Sequence, residues 1–215
     1  MKNNKLLIPL AIAAFTSGAF AADDEINYSF SLKDWNHKFK QNSSTTEAVN
    51  SPILSGTARK GDYFITGSSL LPTTYSFADG SQLIRRDNDI ALGYSINSNF
   101  SLLGGKKNIL VRTFSTSNAL SQYNINLNYL GANGFTAIGE KSFLYGTYTS
   151  SVSGKRTDTN VSVKFSNYEA GLGYVLSKDT QVTLGYRSQK FAFANSSSAY
   201  DTTLSGLIFG VNITP

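Results

Sequence analysis

One histidine occurs in the 215 residues, and it is the only side chain of the chain that ordinarily titrates near neutral pH. His37 follows Trp35 in a polar segment, with no second histidine and no cysteine anywhere in the sequence. No serine lies in a nucleophile-elbow motif that such a histidine could serve. We therefore favour a histidine that is exposed at a rim or satisfied by hydrogen bonds, and we predict that the protein is not an enzyme.

Two pairs of opposite charges recur with the same spacing. Asp89 and Lys107 bracket one stretch, and Glu169 and Arg187 bracket another, 80 residues further on. Both stretches contain Leu-Gly-Tyr, at 92–94 and 172–174, followed by a short polar segment. If the polar segments are hairpin loops, each acidic residue lies opposite its basic partner on neighbouring strands.

The two sides of the later hairpin carry different chemistry. Apolar residues alternate with small or polar ones, and this period of two is typical of strands. The register that pairs Glu169 with Arg187 leaves one face wholly apolar, and a similar alternation begins near Asn27. We predict that the apolar faces contact lipid through Tyr28, Phe30, Leu172, Tyr174, Leu184 and Tyr186.

The first residues have the pattern of an export signal. Lys2 and Lys5 precede an apolar run that ends in small residues, which predicts a signal peptide over 1–21, cleaved after Ala21. The mature domain would then span 22–215. No later apolar stretch approaches the ~20 residues that a membrane-spanning helix needs. Because lipid offers the backbone no hydrogen-bond partners, a membrane location requires a closed barrel.

The amino-acid composition agrees with a β-barrel. The chain is 40% hydrophobic but only 15% charged, and glycine and aromatic residues favour strands and tight bends. No metal-ligand cluster or nucleotide fingerprint is present, so we expect no metal and no cofactor. No basic cluster is interleaved with aromatic residues, which argues against nucleic acid as a partner.

Taken in order, the chain predicts an all-β, antiparallel, up-and-down transmembrane barrel of about ten strands, with eight as the alternative. Predicted strands cover 25–39, 51–59, 62–71, 87–96, 100–114, a sixth around 123–129, 142–152, an eighth from 161, 180–193 and 200–213. Short turns alternate with longer polar loops, of which 72–86 would be the longest.

Several finer expectations follow from this assignment. We expect a bulge or a frayed strand at Lys106 and a bulge at Asn167, where the apolar alternation is interrupted. Trp35 is assigned to an interfacial aromatic girdle. In the sixth strand, Tyr123 to Tyr129 would place apolar residues on one face and three asparagines on the other. In a soluble sheet the apolar face would need a second layer to cover it, and the sequence offers no helix for that layer.

The signal peptide, the repeated Leu-Gly-Tyr hairpins and the alternation through the last strand resemble small Gram-negative outer-membrane β-barrel proteins. The resemblance implies location in the outer membrane, with outer-membrane lipid and the barrel-assembly machinery as partners. We expect a structural or surface-interaction role through the outer loops, toward a ligand that the sequence does not identify.

Two alternatives remain open at this stage. The first is a narrow channel or small-ligand binder, in which the two charge pairs and Lys164 line a conduit. A filled interior of paired charges is favoured over it, because small barrels are packed with side chains. The second, implied by hydrolases that resemble such barrels, is a lipid A or peptide hydrolase using His37.

Overall fold

The computed structural model describes residues 25–41, 44–116, 119–159, 161–194 and 199–215, and within these ranges the chain is all-β. No helix in them is long and apolar enough to cross a membrane. The predicted signal peptide and its cleavage site lie outside the described residues. The long strands are β1 (Asn27–Gln41), β2 (Val49–Lys60), β3 (Tyr63–Ser76), β4 (Gln82–Asn97), β5 (Phe100–Phe114), β6 (Leu120–Ala137), β7 (Ser142–Arg156), β8 (Ser162–Val175), β9 (Thr180–Ala194) and β10 (Ala199–Ile213).

These ten strands form one closed antiparallel barrel. Each strand pairs with the next along the chain, and β10 pairs with β1. A two-residue strand, Ser44–Thr45, adds to the end of β1. The prediction of an all-β, ten-stranded, up-and-down barrel is confirmed, and the eight-stranded alternative is wrong because 51–71 forms parts of two regular barrel strands.

The register of the paired strands agrees with the two hairpins predicted from the sequence. Asp89 lies opposite Lys107 on β4 and β5, and Glu169 lies opposite Arg187 on β8 and β9. The four short connections, at 61–62, 98–99, 138–141 and 176–179, share one end of the barrel, which we call the turn end. Gly61 has a φ of 56° there, a conformation that glycine adopts without steric cost. The longer connections share the opposite end, the loop end.

The half of the barrel nearest the turn end is apolar on its outside. Large hydrophobic side chains point outward along most strands there. Inside, small, polar and charged residues surround two buried clusters, one of Phe64, Ala91, Leu103 and Tyr129 and one of Phe135, Phe143, Tyr145 and Val175. The six residues predicted to contact lipid all lie on this outer face. The exposed hydrophobic residues include Tyr28, Phe30, Leu32, Leu54, Tyr63, Ile65, Ile90, Leu92, Tyr94, Leu102, Leu130, Leu144, Tyr148, Tyr168, Leu172, Tyr174, Leu184, Tyr186, Leu207 and Phe209.

In the half nearest the loop end, the outer and inner faces of the barrel wall have the opposite polarity. Polar residues point outward, and apolar residues fill the interior as a packed core. The change of chemistry occurs within single strands: β1 presents Leu32 outward but Asp34, Asn36 and Lys38 beyond it. The core consists of Trp35, Phe39, Ile53, Leu70, Tyr75, Leu83, Ile109, Val111, Ile125, Leu127, Val163, Phe165, Phe191, Phe193, Leu204 and Ile208.

This exchange corrects two predictions. Trp35 is 0% exposed and belongs to the interior core, not to an aromatic girdle. On β6, Ile125 and Leu127 point inward while Asn126 and Asn128 point outward. The expectation that the apolar residues would need an outer covering is wrong because the opposite wall of the barrel covers them.

The predicted long loop at 72–86 is also wrong. β3 and β4 continue through most of it, and only residues 77–81 connect them. Pairing shifts between Leu70 and Thr73, and Pro72 lies in this irregularity, where its missing N–H removes no ladder hydrogen bond. The polar residues that suggested a loop are tolerated because the outside of this half is polar.

The bulges expected at Lys106 and Asn167 do not occur. Pairing is continuous through both positions, whereas shifts lie between Ser95 and Asn97 and between Ser150 and Lys155. Along β8, odd-numbered residues point inward throughout, so the change from Val163 to Tyr168 is one of chemistry and not of backbone phase. The same phase places Lys164 on the outside, away from any conduit.

Candidate functional site

The Glu169 carboxylate is the centre of one buried charge cluster inside the barrel. Its Oε1 accepts a hydrogen bond from Lys33 Nζ at 2.6 Å and lies 3.2 Å from the Tyr145 hydroxyl. Arg187 Nη1 lies 3.9 Å from Oε2. Three strands besides β8 therefore contribute partners, and Lys33 comes from β1, across the barrel.

Asp89 is the centre of a second, smaller cluster of similar chemistry. Lys107 Nζ lies 2.9 Å from its Oδ2, and the Tyr129 hydroxyl donates a short hydrogen bond to Oδ1. Each cluster thus joins one carboxylate to a tyrosine and to a cation on the neighbouring strand. The 80-residue repeat in sequence therefore repeats the carboxylate and the cation opposite it, whereas the two tyrosines do not occupy equivalent positions.

Glycines make room for both tyrosines. A Cβ on Gly105 would lie 2.6 Å from the Tyr129 hydroxyl oxygen, and one on Gly185 would lie 2.5 Å from that of Tyr145. These glycines also occupy equivalent positions of the repeat. Any larger residue would displace the tyrosine from its carboxylate, so glycine here is required for close approach.

A third carboxylate extends the network toward the loop end. Arg85 binds Asp87 with two hydrogen bonds, of 2.7 and 2.6 Å, and also donates to the Gln189 side-chain oxygen at 2.8 Å. Lys107 lies 3.7 Å from Asp87, which links this pair to the Asp89 cluster. Arg85 and Asp87 are 3% and 2% exposed, so they satisfy each other rather than solvent.

His37 lies inside the loop-end half and not at an exposed rim. It is 1% exposed, and its ring stacks on Trp35 with 3.9 Å between ring centroids. Nε2 is 2.7 Å from the Tyr75 hydroxyl, and Nδ1 is 2.9 Å from the Trp35 carbonyl oxygen. Both ring nitrogens are therefore engaged in structural hydrogen bonds, which leaves neither free to activate a nucleophile.

At the loop end, Arg156 binds side chains around the start of the connection that follows β7. Arg156 binds Asp158 with hydrogen bonds of 2.7 and 2.6 Å, and its guanidinium carbon lies 3.7 Å from the centroid of the Tyr123 ring. It also donates to the Tyr200 hydroxyl at 3.2 Å. These hydrogen bonds hold the pKa of Asp158 below its ordinary value. These contacts of Arg156 stabilise the end of β7 at the loop end of the barrel.

The structure brings the four charges predicted from sequence into two interior clusters, but it adds partners that sequence reasoning missed. Among the described residues, no group of three acidic, histidine or cysteine side chains could hold a metal ion. The missed partners are Lys33, Arg85, Asp87, Tyr129 and Tyr145. Continuing the alternation upstream from Asp89 would have placed Asp87 and Arg85 on the same inner face.

The chain has the fold of a closed, antiparallel, ten-stranded β-barrel with a filled interior. No protein-family model and no curated protein sequence matches the chain. Among solved structures, the outer-membrane protease OmpT of Escherichia coli is similar, with a TM-score of 0.53, 11% identity, and coverage of 90% of this chain and 98% of that one. This likeness establishes the fold.

Two further structures are similar at lower scores. Neisserial surface protein A has a TM-score of 0.45 and 12% identity, covering 89% of this chain and 100% of that one. Ail, the attachment invasion locus protein of Yersinia pestis, has a TM-score of 0.43 and 12% identity, with coverage of 88% and 99%.

Proposed function

We propose that this protein is a non-enzymatic integral protein of the outer membrane that acts through the surface its loop end presents outside the cell. The exchange of chemistry between the two halves supports this proposal most directly. An apolar outer band suits lipid, whereas the polar outer wall beyond it suits water. A barrel with this wall would project from the membrane as a rigid, core-filled platform.

The loop end has the shape of an interaction surface. A concavity of about 970 Å³ opens there between the ends of β1, β3, β4, β5 and β6. Its lining includes Phe77, Phe114 and Leu120 among hydroxyl and amide side chains, a mixture that suits contact with another molecule. The signal peptide cleaved after Ala21 would supply export, and the barrel-assembly machinery would supply insertion.

We expect the mature protein to fractionate with the outer membrane and to migrate faster on a gel when it is not boiled. A closed barrel retains its compact shape in detergent until heat unfolds it, so boiling should give one slower band. The measurement is fractionation followed by gels with and without boiling. Recovery as a soluble periplasmic protein without a mobility shift would contradict the membrane assignment.

The filled interior argues for a role at the surface rather than in transport. Glu169 and Lys107 are each 6% exposed, and both lie in ion pairs. Beyond them, the loop-end core fills the barrel with aliphatic and aromatic side chains. Charges that are already paired and a core that is already packed leave little for a solute to bind.

We therefore expect no discrete single-channel openings when the purified protein is reconstituted into a planar bilayer. Wild type and Glu169→Gln should both give only the baseline conductance of the lipid. Discrete openings whose ion selectivity changes in Glu169→Gln would instead establish a channel and overturn the filled interior. Phe191→Ala, which removes a ring from the loop-end core, tests whether that core is what closes the lumen.

A further inference from the structure

The outer surface of β4, β5 and β6 carries a groove at the edge of the apolar band that is nearest the loop end. Its volume is about 550 Å³, and it is lined by three consecutive residues from each strand, 88–90, 106–108 and 126–128. Alternation places Asn88, Asn108, Asn126 and Asn128 on the outside of the wall, together with Lys106. We call this feature the amide groove.

Its amide side chains form a continuous row. Asn88 lies opposite Asn108, and Asn108 lies opposite Asn126, to which it donates a hydrogen bond of 2.6 Å. Asn128 is opposite Lys106 and donates to Ser153 at 2.8 Å. Such a row offers both donors and acceptors, which is the chemistry that binds the hydroxyl and amide groups of a sugar.

The charge of this wall has one sign. Arg86, Lys106 and Arg112 point outward along β4 and β5. The only acidic residues from 82 to 137 are Asp87 and Asp89, and the carboxylates of both are bound to cations inside the barrel. The outer face of these three strands is therefore purely cationic, and it complements an anion.

The groove is also continuous with the apolar band. Ile90, one of its lining residues, is 54% exposed and lies opposite Lys106, with Leu92 and Leu102 next toward the turn end. Leu130 follows Asn128 on the outside of β6. A molecule that fills the groove would thus have its polar part on the amides and cations, and its apolar part against these side chains.

From this juxtaposition we propose that the amide groove binds the headgroup of a phosphorylated glycolipid of the outer leaflet. Lys106 contacts its phosphate, and Arg86, further toward the loop end on the same face, adds positive charge beside the groove. The asparagine row contacts its sugar, and its acyl chains lie on Ile90, Leu92 and Leu130. The inference requires only that the barrel is in the membrane. It is independent of any role for the loop-end surface, so the two proposals can fail separately.

The test uses the folded protein in nanodiscs of zwitterionic phospholipid, titrated with bisphosphorylated lipid A or with the same lipid after enzymatic removal of its phosphates. Removing one cation near a membrane surface costs about 1 kcal/mol, or about five-fold in affinity. We expect Arg86→Gln with Lys106→Gln to weaken binding of the phosphorylated lipid by roughly 25-fold. The dephosphorylated lipid should bind weakly to wild type and to the variant alike.

A matched control comes from the opposite wall. Lys38 and Lys40 point outward on β1 in the loop-end half, so Lys38→Gln with Lys40→Gln removes the same charge outside the groove. We expect this control to lose less than about five-fold, with the heat-dependent gel shift intact in both variants. If both double variants lost the same affinity for the phosphorylated lipid, the effect would be one of general surface charge, and the proposal would be overturned. Undiminished binding in the Arg86 and Lys106 variant would do the same.

Discussion

Replacing Glu169 by leucine should lower the free energy of unfolding by about 3–5 kcal/mol, the usual cost of removing one partner of a buried ion pair. The carboxylate neutralises Lys33 at 2.6 Å and faces Arg187 at 3.9 Å, in a site where it is 6% exposed. Leucine fills much of the volume but leaves both cations in the interior. Unfolding in urea is measured by the fluorescence of Trp35, the only tryptophan, which lies 5.0 Å from the Arg187 guanidinium carbon.

Two variants separate this effect from a general loss of charge. Asp201 pairs with Lys190 at 2.7 Å, but both side chains are more than half exposed, so Asp201→Asn should change stability by less than about 1 kcal/mol. Adding Lys33→Met to Glu169→Leu removes one of the two cations that face the lost carboxylate. The double variant should therefore recover part of the lost free energy of unfolding. If Glu169→Leu were no more destabilising than Asp201→Asn, the cluster would not be a buried structural network.

Local pairing could be predicted from sequence because a short turn fixes the register of a hairpin. Placing the turn at 177–179 was enough to put Glu169 opposite Arg187, and the same reasoning worked for Asp89 and Lys107. The partners from distant strands could not be found this way. Lys33 and Glu169 are 136 residues apart, and only closure of the barrel brings them together.

The faces were predictable only where the outside is apolar. A period of two separates two faces, but it does not say which of them points inward. Near the turn end, the apolar face of Phe30 and Leu172 is outside. Near the loop end, the apolar face of Trp35 and Ile125 is inside, because lipid no longer covers the wall and the interior becomes the place to bury them. Nothing in a single strand marks the level at which this change occurs.

The same ambiguity explains the errors at 72–86 and at Asn167. Residues 72–86 suggest a loop because they are polar and include the turn-rich segment 78–81. Strands that continue beyond the apolar band need no apolar outer face, so polar residues are compatible with them. At Asn167 the apolar residues pass from the inner to the outer face, and the backbone needs no bulge because the two sets face opposite sides of the wall.

Gly206→Val should abolish closure of the barrel between its last and first strands. Gly206 is paired with His37 at this seam, and a Cβ there would overlap the carbonyl oxygen of Asn36 and lie 2.6 Å from the His37 Cα. These are backbone atoms of a paired strand and cannot rotate away, so the two strands would have to separate. We expect loss of the faster band on unboiled gels, or a destabilisation of at least about 3 kcal/mol, the upper part of the usual overpacking range.

Gly67→Val provides the matched control, because it makes the same substitution on β3 where space is available. A Cβ on Gly67 has one neighbour, the Asp89 carbonyl oxygen at 3.8 Å, which is an ordinary contact. Valine also favours strands more than glycine, so Gly67→Val should fold with a normal gel shift and an unchanged or higher urea midpoint. Normal closure and stability in Gly206→Val would show that the seam between β10 and β1 is wider than the structure describes, and the interior packing built around His37 would have to be revised with it.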